Sequence, residues 1–281
     1  MIPTRAGALA AGVLMLASLA ACATGAATPS SAPVVSAAAT SAPTAATGES
    51  ASASAAPESP SPAPASTSAV PAPSGSIDPA SFTASVDNQW FPLRTGSVWT
   101  YRGVKDGKPS FDVVRVTDKT KVIEGVTCVV VSDKLKLSGV LEETTQDYYA
   151  QDQAGNVWYF GEDTAELDRH GKVTSREGSW MSGVDGAHAG VFMEATPTVG
   201  KDILQEYLKG HAEDHFAVID LSASVTVPYG SFSDALETKE WTPLEPDVLD
   251  HKFYLRGVGE AREVAVKGPK EELVLISFKQ G

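Results

Sequence analysis

The chain has 281 residues, with 22 basic against 35 acidic side chains and a formal net charge of −13 at neutral pH. That balance excludes nucleic acid, or an anionic lipid surface, as a partner recognised through basic patches. The length accommodates one domain with a sizeable core beside shorter segments.

Arg5 is the only charge before Glu49, and it precedes an apolar run from Ala8 to Ala20. A bilayer-spanning helix needs roughly 20 apolar residues, so this run is too short to be one. A charged start, a short apolar centre and a small-residue end describe a secretory signal over residues 1–21. Leu19-Ala20-Ala21-Cys22 also resembles the lipobox of bacterial lipoproteins. The resemblance implies cleavage before Cys22, a diacylglyceryl group on its sulfur, and anchoring in the cell membrane with the rest of the chain on the extracytoplasmic side. Two or more acyl chains give stable anchoring, at ~0.8 kcal/mol per buried methylene.

Residues 23–76 are Ala, Ser, Thr or Pro at all but eight positions and include no aromatic residue. Nothing there nucleates a core, and the prolines interrupt any alanine helix. The stretch reads as a disordered tether with an r.m.s. span of ~40 Å, approaching ~170 Å if polyproline-like. Its composition also suits O-glycosylation.

The folded part is expected over residues 77–281. Setting aside Arg5, Glu49 and Glu58 leaves it 21 basic and 33 acidic residues, an excess read here as a solubilising surface. With Cys22 lipidated, Cys128 has no intramolecular disulfide partner. Alternation in Val126-Thr127-Cys128-Val129-Val130 places it on one face with Val126 and Val130, as a buried inert thiol.

In chain order, Phe82 and Val86 are spaced as on a short helical turn. Val98 to Tyr101 is a strand with Trp99 and Tyr101 on one face, and Phe111 to Thr117 is a second. Glu124-Gly125 turns into the strand through Cys128. Glu142 to Gln151 carries Tyr148 and Tyr149 on opposite faces. Asp152-Gln153-Ala154-Gly155 is a turn leading into Asn156 to Phe160, which is apolar on both sides and therefore central. Gly178 to Gly190 reads as a long loop. Val199 to Leu208 fits a helical face but is bracketed by Gly200 and Gly210, and strand is preferred. Strands follow at Phe216 to Val227, Ala235 to Trp241, Lys252 to Leu255, Glu263 to Val266 and Leu273 to Phe278. Ten to twelve short strands predict a single all-β antiparallel domain, either a strongly curved sheet or open barrel, or else a two-sheet sandwich.

Three blocks together resemble a family of uncharacterised secreted proteins and lipoproteins of bacteria. They are Tyr148 to Asp152 with Gly155 to Glu162, Gly178-Ser179-Trp180 with Gly183 to Ala187, and Val227 to Phe232 with Thr238 to Pro246 and the Tyr254 and Gly257-Val258-Gly259 region. The resemblance covers most of Trp90 to Phe278 and implies a fold neighbourhood and a location, with no catalytic residues. The chain departs from that pattern at Leu255-Arg256-Gly257, where Ala-Pro-Gly is expected. It departs again at Glu260, where an apolar residue is expected.

Candidate chemistry is sparse. His211, Glu213 and His215 could hold a transition metal on a helix, but on a strand the two imidazoles stand ~13 Å apart, so metal binding is not expected. The pairs Glu142/Glu143 and Glu162/Asp163 have the residue types for glycoside cleavage, though an acidic chain produces such pairs by chance. Asp152 to Asn156 lacks the ligand run of a calcium loop. No serine-nucleophile elbow, phosphate loop or dinucleotide fingerprint occurs, and no cofactor is expected. The aromatics Trp99, Tyr149, Trp158, Phe160, Trp180 and Trp241 are the candidates for lining an apolar pocket in a curved sheet. The sequence therefore favours a membrane-tethered, non-catalytic module that binds an apolar small molecule or an envelope component. An envelope-polymer hydrolase and a metal-binding lipoprotein are the alternatives.

Overall fold

The computed structural model describes residues 77–281. The signal segment, Cys22 and the tether lie outside the described residues. After a 3-10 turn at Pro79–Ser81 the domain is all-β. The strands are β1 (Phe82–Thr83), β2 (Val98–Lys105), β3 (Lys108–Ile123), β4 (Val126–Leu137), β5 (Val140–Asp152), β6 (Val157–Leu167), β7 (Val173–Ser175) and β8 (Trp180–Met181). They continue as β9 (His188–Met193), β10 (Ile203–Leu204), β11 (Glu206–Tyr207), β12 (His215–Val227), β13 (Gly230–Trp241), β14 (Leu249–Leu255), β15 (Gly259–Lys267) and β16 (Glu272–Lys279).

All these ladders are antiparallel and run in one sheet, in the order β12-β13-β14-β15-β16-β2-β3-β4-β5-β6-β9. The sheet curls until its ends meet at a seam. Ile203 and Leu204 pair with Phe216 and His215 of β12, while Glu206 and Tyr207 pair with Ala189 and His188 of β9. A single stretch, interrupted only at Gln205, thus stitches both ends of the sheet. The expectation of a curved sheet or open barrel holds, with the ring more nearly closed than expected; the sandwich does not form. Val199 to Leu208 is the stitch, and strand was the right choice over helix. Its hydrophobic spacing looked helical because successive residues serve two different partners. Gly190 faces this stitch so closely that a Cβ would lie 2.5 Å from backbone atoms of Leu204 and Gln205.

Strand alternation sorts side chains between the barrel interior and an outer face. On β4, Val126, Cys128 and Val130 face outward, while Val129, Val131, Asp133 and Leu135 alternate with them and face inward. Tyr148 points out and Tyr149 in, as expected. The outward residues form a small second core with Phe160 and Ala150, covered by Ile77, Phe82, Trp158 and Met181. Phe82 meets Trp158 and Phe160 edge-on, at 5.9 and 5.4 Å between centroids. Val86 belongs instead to the interior core. The expected helical turn joining Phe82 and Val86 is therefore absent; the chain bends at Ala84 between them, and they end on opposite sides of the barrel wall. The Gly178 to Gly190 region holds β8, which pairs with β6 where Gly161 (φ +132°) lets the Trp180 carbonyl approach. Any larger residue there would clash, since a Cβ would sit 2.4 Å from that oxygen.

Candidate functional site

The same alternation that brings apolar residues into the barrel also brings in acids. Leu236, Thr238 and Glu240 share the inner face of β13, and Tyr101 of β2 stands opposite Asp112 of β3. Asp133 on β4 stands opposite Thr145 on β5, and Asp147 opposite Glu162 of β6. Glu206 arrives on the seam, and Asp214 just before β12. Tyr254 of β14 pairs with Glu260, and Lys252 with Glu263 of β15. Nine buried carboxyl groups (Asp112, Asp133, Asp147, Glu162, Glu206, Asp214, Glu240, Glu260 and Glu263) thus form a belt around the interior.

Neutral hydroxyls and one cation partly satisfy the belt. Tyr159 donates to Asp147 Oδ1 at 2.9 Å, and Thr164 to Glu162 Oε2 at 3.0 Å. Tyr254 and Thr238 both donate to Glu240 Oε1, at 3.2 and 3.0 Å. Lys252 Nζ lies 3.0 Å from Glu240 Oε2 and 3.9 Å from Glu263 Oε1. Both carboxylate oxygens of Glu206 and of Glu260 have no partner, nor does the Tyr149 hydroxyl. Each such buried group costs roughly 1–3 kcal/mol if left unpaired, and more if it is also ionised.

Burial therefore dominates the titration of the belt. It pushes Asp147 and Glu260 up to about 7, with Tyr159 and Lys252 respectively opposing the rise. Burial, followed by the charges of neighbouring acids, raises Glu162 and Glu206 well above the ordinary carboxylate range. Burial raises Asp112, and burial together with the charge of Asp112 raises Asp133 well above the ordinary carboxylate range. Lys252 behaves oppositely. Burial alone would push its ammonium down, but Glu240, Glu263 and Glu260 outweigh this and hold it firmly charged.

The belt changes the meaning of the acidic composition. Twelve acids and two lysines are buried, leaving 21 acidic and 19 basic residues on the rest of the 77–281 segment. The expectation of an acidic, solubilising surface is thus corrected: the excess of acidic residues lies inside. The missed signal was the strand period itself, because Asp147 shares its face with Tyr149 and Glu240 shares its face with Leu236.

The aromatic candidates do not line one common cavity. Trp99 borders a small interior cavity beside Tyr101, while Tyr149 is stacked on Tyr159 at 4.8 Å in the filled core. Phe160 fills the outer core. Trp158 edges an outer cleft of about 270 Å³ beside the seam. Trp180 packs edge-on against Tyr159 at 5.3 Å and borders a second cleft of about 310 Å³. Trp241 stacks on His215 at 5.5 Å, under Lys239.

The metal candidates are likewise dispersed. His215 Nδ1 is 2.7 Å from Asp202, Glu213 accepts from the Gly210 amide, and His211 is exposed in the turn before β12. Among the described residues no set of three or more His, Cys, Asp or Glu is placed to hold a metal ion. Within the acidic pairs, Glu162 points inward while Asp163 points outward to Arg176 at 2.6 Å. Glu143 is raised by burial. Asp152 caps its own turn, accepting from Asn156 and Trp158. The Cys128 thiol is fully buried and pushed up to about 12 by burial. At the departures from the family pattern, Arg256 lies over the Trp90 ring at 4.0 Å and donates to Gln89, and Glu260 joins the belt.

No protein-family model matches the chain, and no curated protein matches it. Among solved structures it is similar to a Bacteroides fragilis protein described as exported, with a YmcC-like fold. The two share 16% identity over 69% of this chain and 100% of that one, with a TM-score of 0.41. It is also similar to a Parabacteroides distasonis protein described as a lipoprotein, at 15% identity over 69% of this chain and 100% of that one, with a TM-score of 0.37.

Proposed function

We propose that the chain is a bacterial envelope lipoprotein whose barrel is a non-catalytic binding module. Cys22 carries the lipid, residues 23–76 are the spacer, and the barrel is held off the membrane on the extracytoplasmic side. The observation that carries this reading is Leu19-Ala20-Ala21-Cys22 at the end of a short apolar run, followed at once by a stretch unable to fold. The spacer makes physical sense only as reach from a fixed point. A binding role is favoured over hydrolysis by the placement of the acids. Asp147 and Glu162 stand opposite each other, but at 1% and 4% exposure a polymer has no path to them. Mass spectrometry of the membrane fraction tests the anchor. The mature chain should begin at a diacylated Cys22, and Cys22→Ser should remain unprocessed. A cleaved Cys22→Ser form that still partitions with membranes would overturn the reading.

A further inference from the structure

Outside the buried set the charges nearly balance, but they are not evenly placed. The outward positions from Val98 to Val104 on β2, Phe111 to Arg115 on β3 and Ser132 to Lys136 on β4 carry four cations and no acid. Arg102, Arg115, Lys134 and Lys136 are all exposed, and none takes part in the ion pairs among the described residues. One rung of the ladder sets Arg102 beside Phe111 and Phe111 beside Lys136. Phe111, 39% exposed, therefore stands open to solvent between two cations. Acids at the borders of this wall already have partners, Glu272 with Arg262 at 2.7 Å and Asp163 with Arg176 at 2.6 Å. Glu142 sits in the bulge opposite Lys136 and forms no ion pair with it. Like charges gathered on one sheet face do not stabilise it, so the fold itself gains nothing from this grouping. The whole-chain charge argued against anionic partners because the acids of the interior were counted with the surface.

We propose that this wall binds a linear acidic polysaccharide of the envelope, its carboxylate or phosphate groups on Arg102, Arg115, Lys134 and Lys136 and a sugar ring on Phe111. The inference rests on the binding-module reading and names its ligand class. Strands stand ~4.8 Å apart and rise ~3.4 Å per residue, so the cations spread over roughly 10 by 14 Å, too wide for one small anion. The wall is convex, as the outside of a curled sheet must be; a flat bilayer would touch it along one line, whereas a chain molecule can follow it. Guanidinium and ammonium groups pair with carboxylate or phosphate oxygens, and the face of an aromatic ring receives the C–H face of a sugar.

The test is a binding titration of the mature chain, from Cys22 and without lipid, against dextran phosphate and polygalacturonate, with dextran as the neutral probe. At least one acidic polymer should bind tenfold or more tightly than dextran, the better of the two naming the acid. Binding should vanish in ~1 M salt, where the screening length is ~3 Å. Arg102→Gln with Lys136→Gln should weaken it at least tenfold at an unchanged thermal midpoint. Lys172→Gln with Lys209→Gln, which removes two exposed cations elsewhere, should change it less than twofold. Phe111→Ser should weaken it several-fold and leave the salt dependence intact. Equal affinity for dextran, undiminished binding in the Arg102/Lys136 variant, or binding to phosphatidylglycerol vesicles but to neither polymer would each overturn the proposal. Lipidation is read separately by mass. A chain found without lipid in the cell that binds the polymer leaves this inference standing, whereas a lipidated chain whose barrel binds neither polymer overturns this inference alone.

Discussion

Asp147→Asn isolates the energetic consequence of the belt. In the folded barrel Asp147 titrates at about 7, against 3.8 for the unperturbed group. The folded state therefore keeps its proton across a window in which the unfolded chain has already released it. A raised carboxyl value means that stability is fully present below pH 4, declines as the pH rises, and has lost this group's whole contribution above pH 7. At 1.36 kcal/mol per unit, the shift corresponds to roughly 4 kcal/mol for a lone group, and less where neighbouring acids share the proton. Asparagine is neutral at every pH, and its amide oxygen can still accept from Tyr159. The variant should lie within about 1 kcal/mol of the native protein in urea denaturation at pH 4.5 and exceed it by a margin that grows to about 2–4 kcal/mol at pH 8. If the native barrel proves as stable at pH 8 as at pH 4.5, and the variant gains nothing, the carboxyls are not held protonated and the account of the interior fails.

Two further substitutions probe the cation and the seam. Lys252→Met removes the ammonium that Glu240 and Glu263 share, and leaving them without it should destabilise the barrel by roughly 3–5 kcal/mol at pH 8. The loss should shrink at pH 5, and an equal loss at both pH values in urea melts would refute the electrostatic assignment. Gly190→Ala would force a Cβ against the backbone of Leu204 and Gln205. We expect about 1–3 kcal/mol of destabilisation, with amide exchange accelerated first at residues 203–207; unchanged exchange there would show that the seam does not close as described.

Much of the architecture was legible because it is local. Glycine-bounded, β-branched runs gave the strand positions, and alternation correctly separated Tyr148 from Tyr149 and buried Cys128 with Val126 and Val130. The seam was less legible. A two-residue strand carries too few residues to show a period, and Ile203-Leu204 and Glu206-Tyr207 answer to partners on opposite ends of the sheet. Strand lengths were underestimated for a related reason. β3 runs to 16 residues, and its polar second half pairs with β4 through backbone bonds that composition does not reveal. Phe82 was misplaced because a four-residue spacing signals a helical face only where the chain is regular between the two residues, and here it bends at Ala84.

The belt was missed for a different reason, and that reason bears on what the domain is for. Acids were read as surface because a charged side chain is almost never fully buried without a partner. Here neutralisation comes chiefly from protons, as the raised Asp147, Glu206 and Glu260 groups show. An apolar interior of equal volume would be more stable at neutral pH, so stability alone does not account for nine carboxyls turned inward. Protons held by the belt lower the charge that it carries. On that argument the formal charge of −13 overstates the field that the protein presents outside. The near-balance of acids and bases outside the buried set leaves the surface weakly charged.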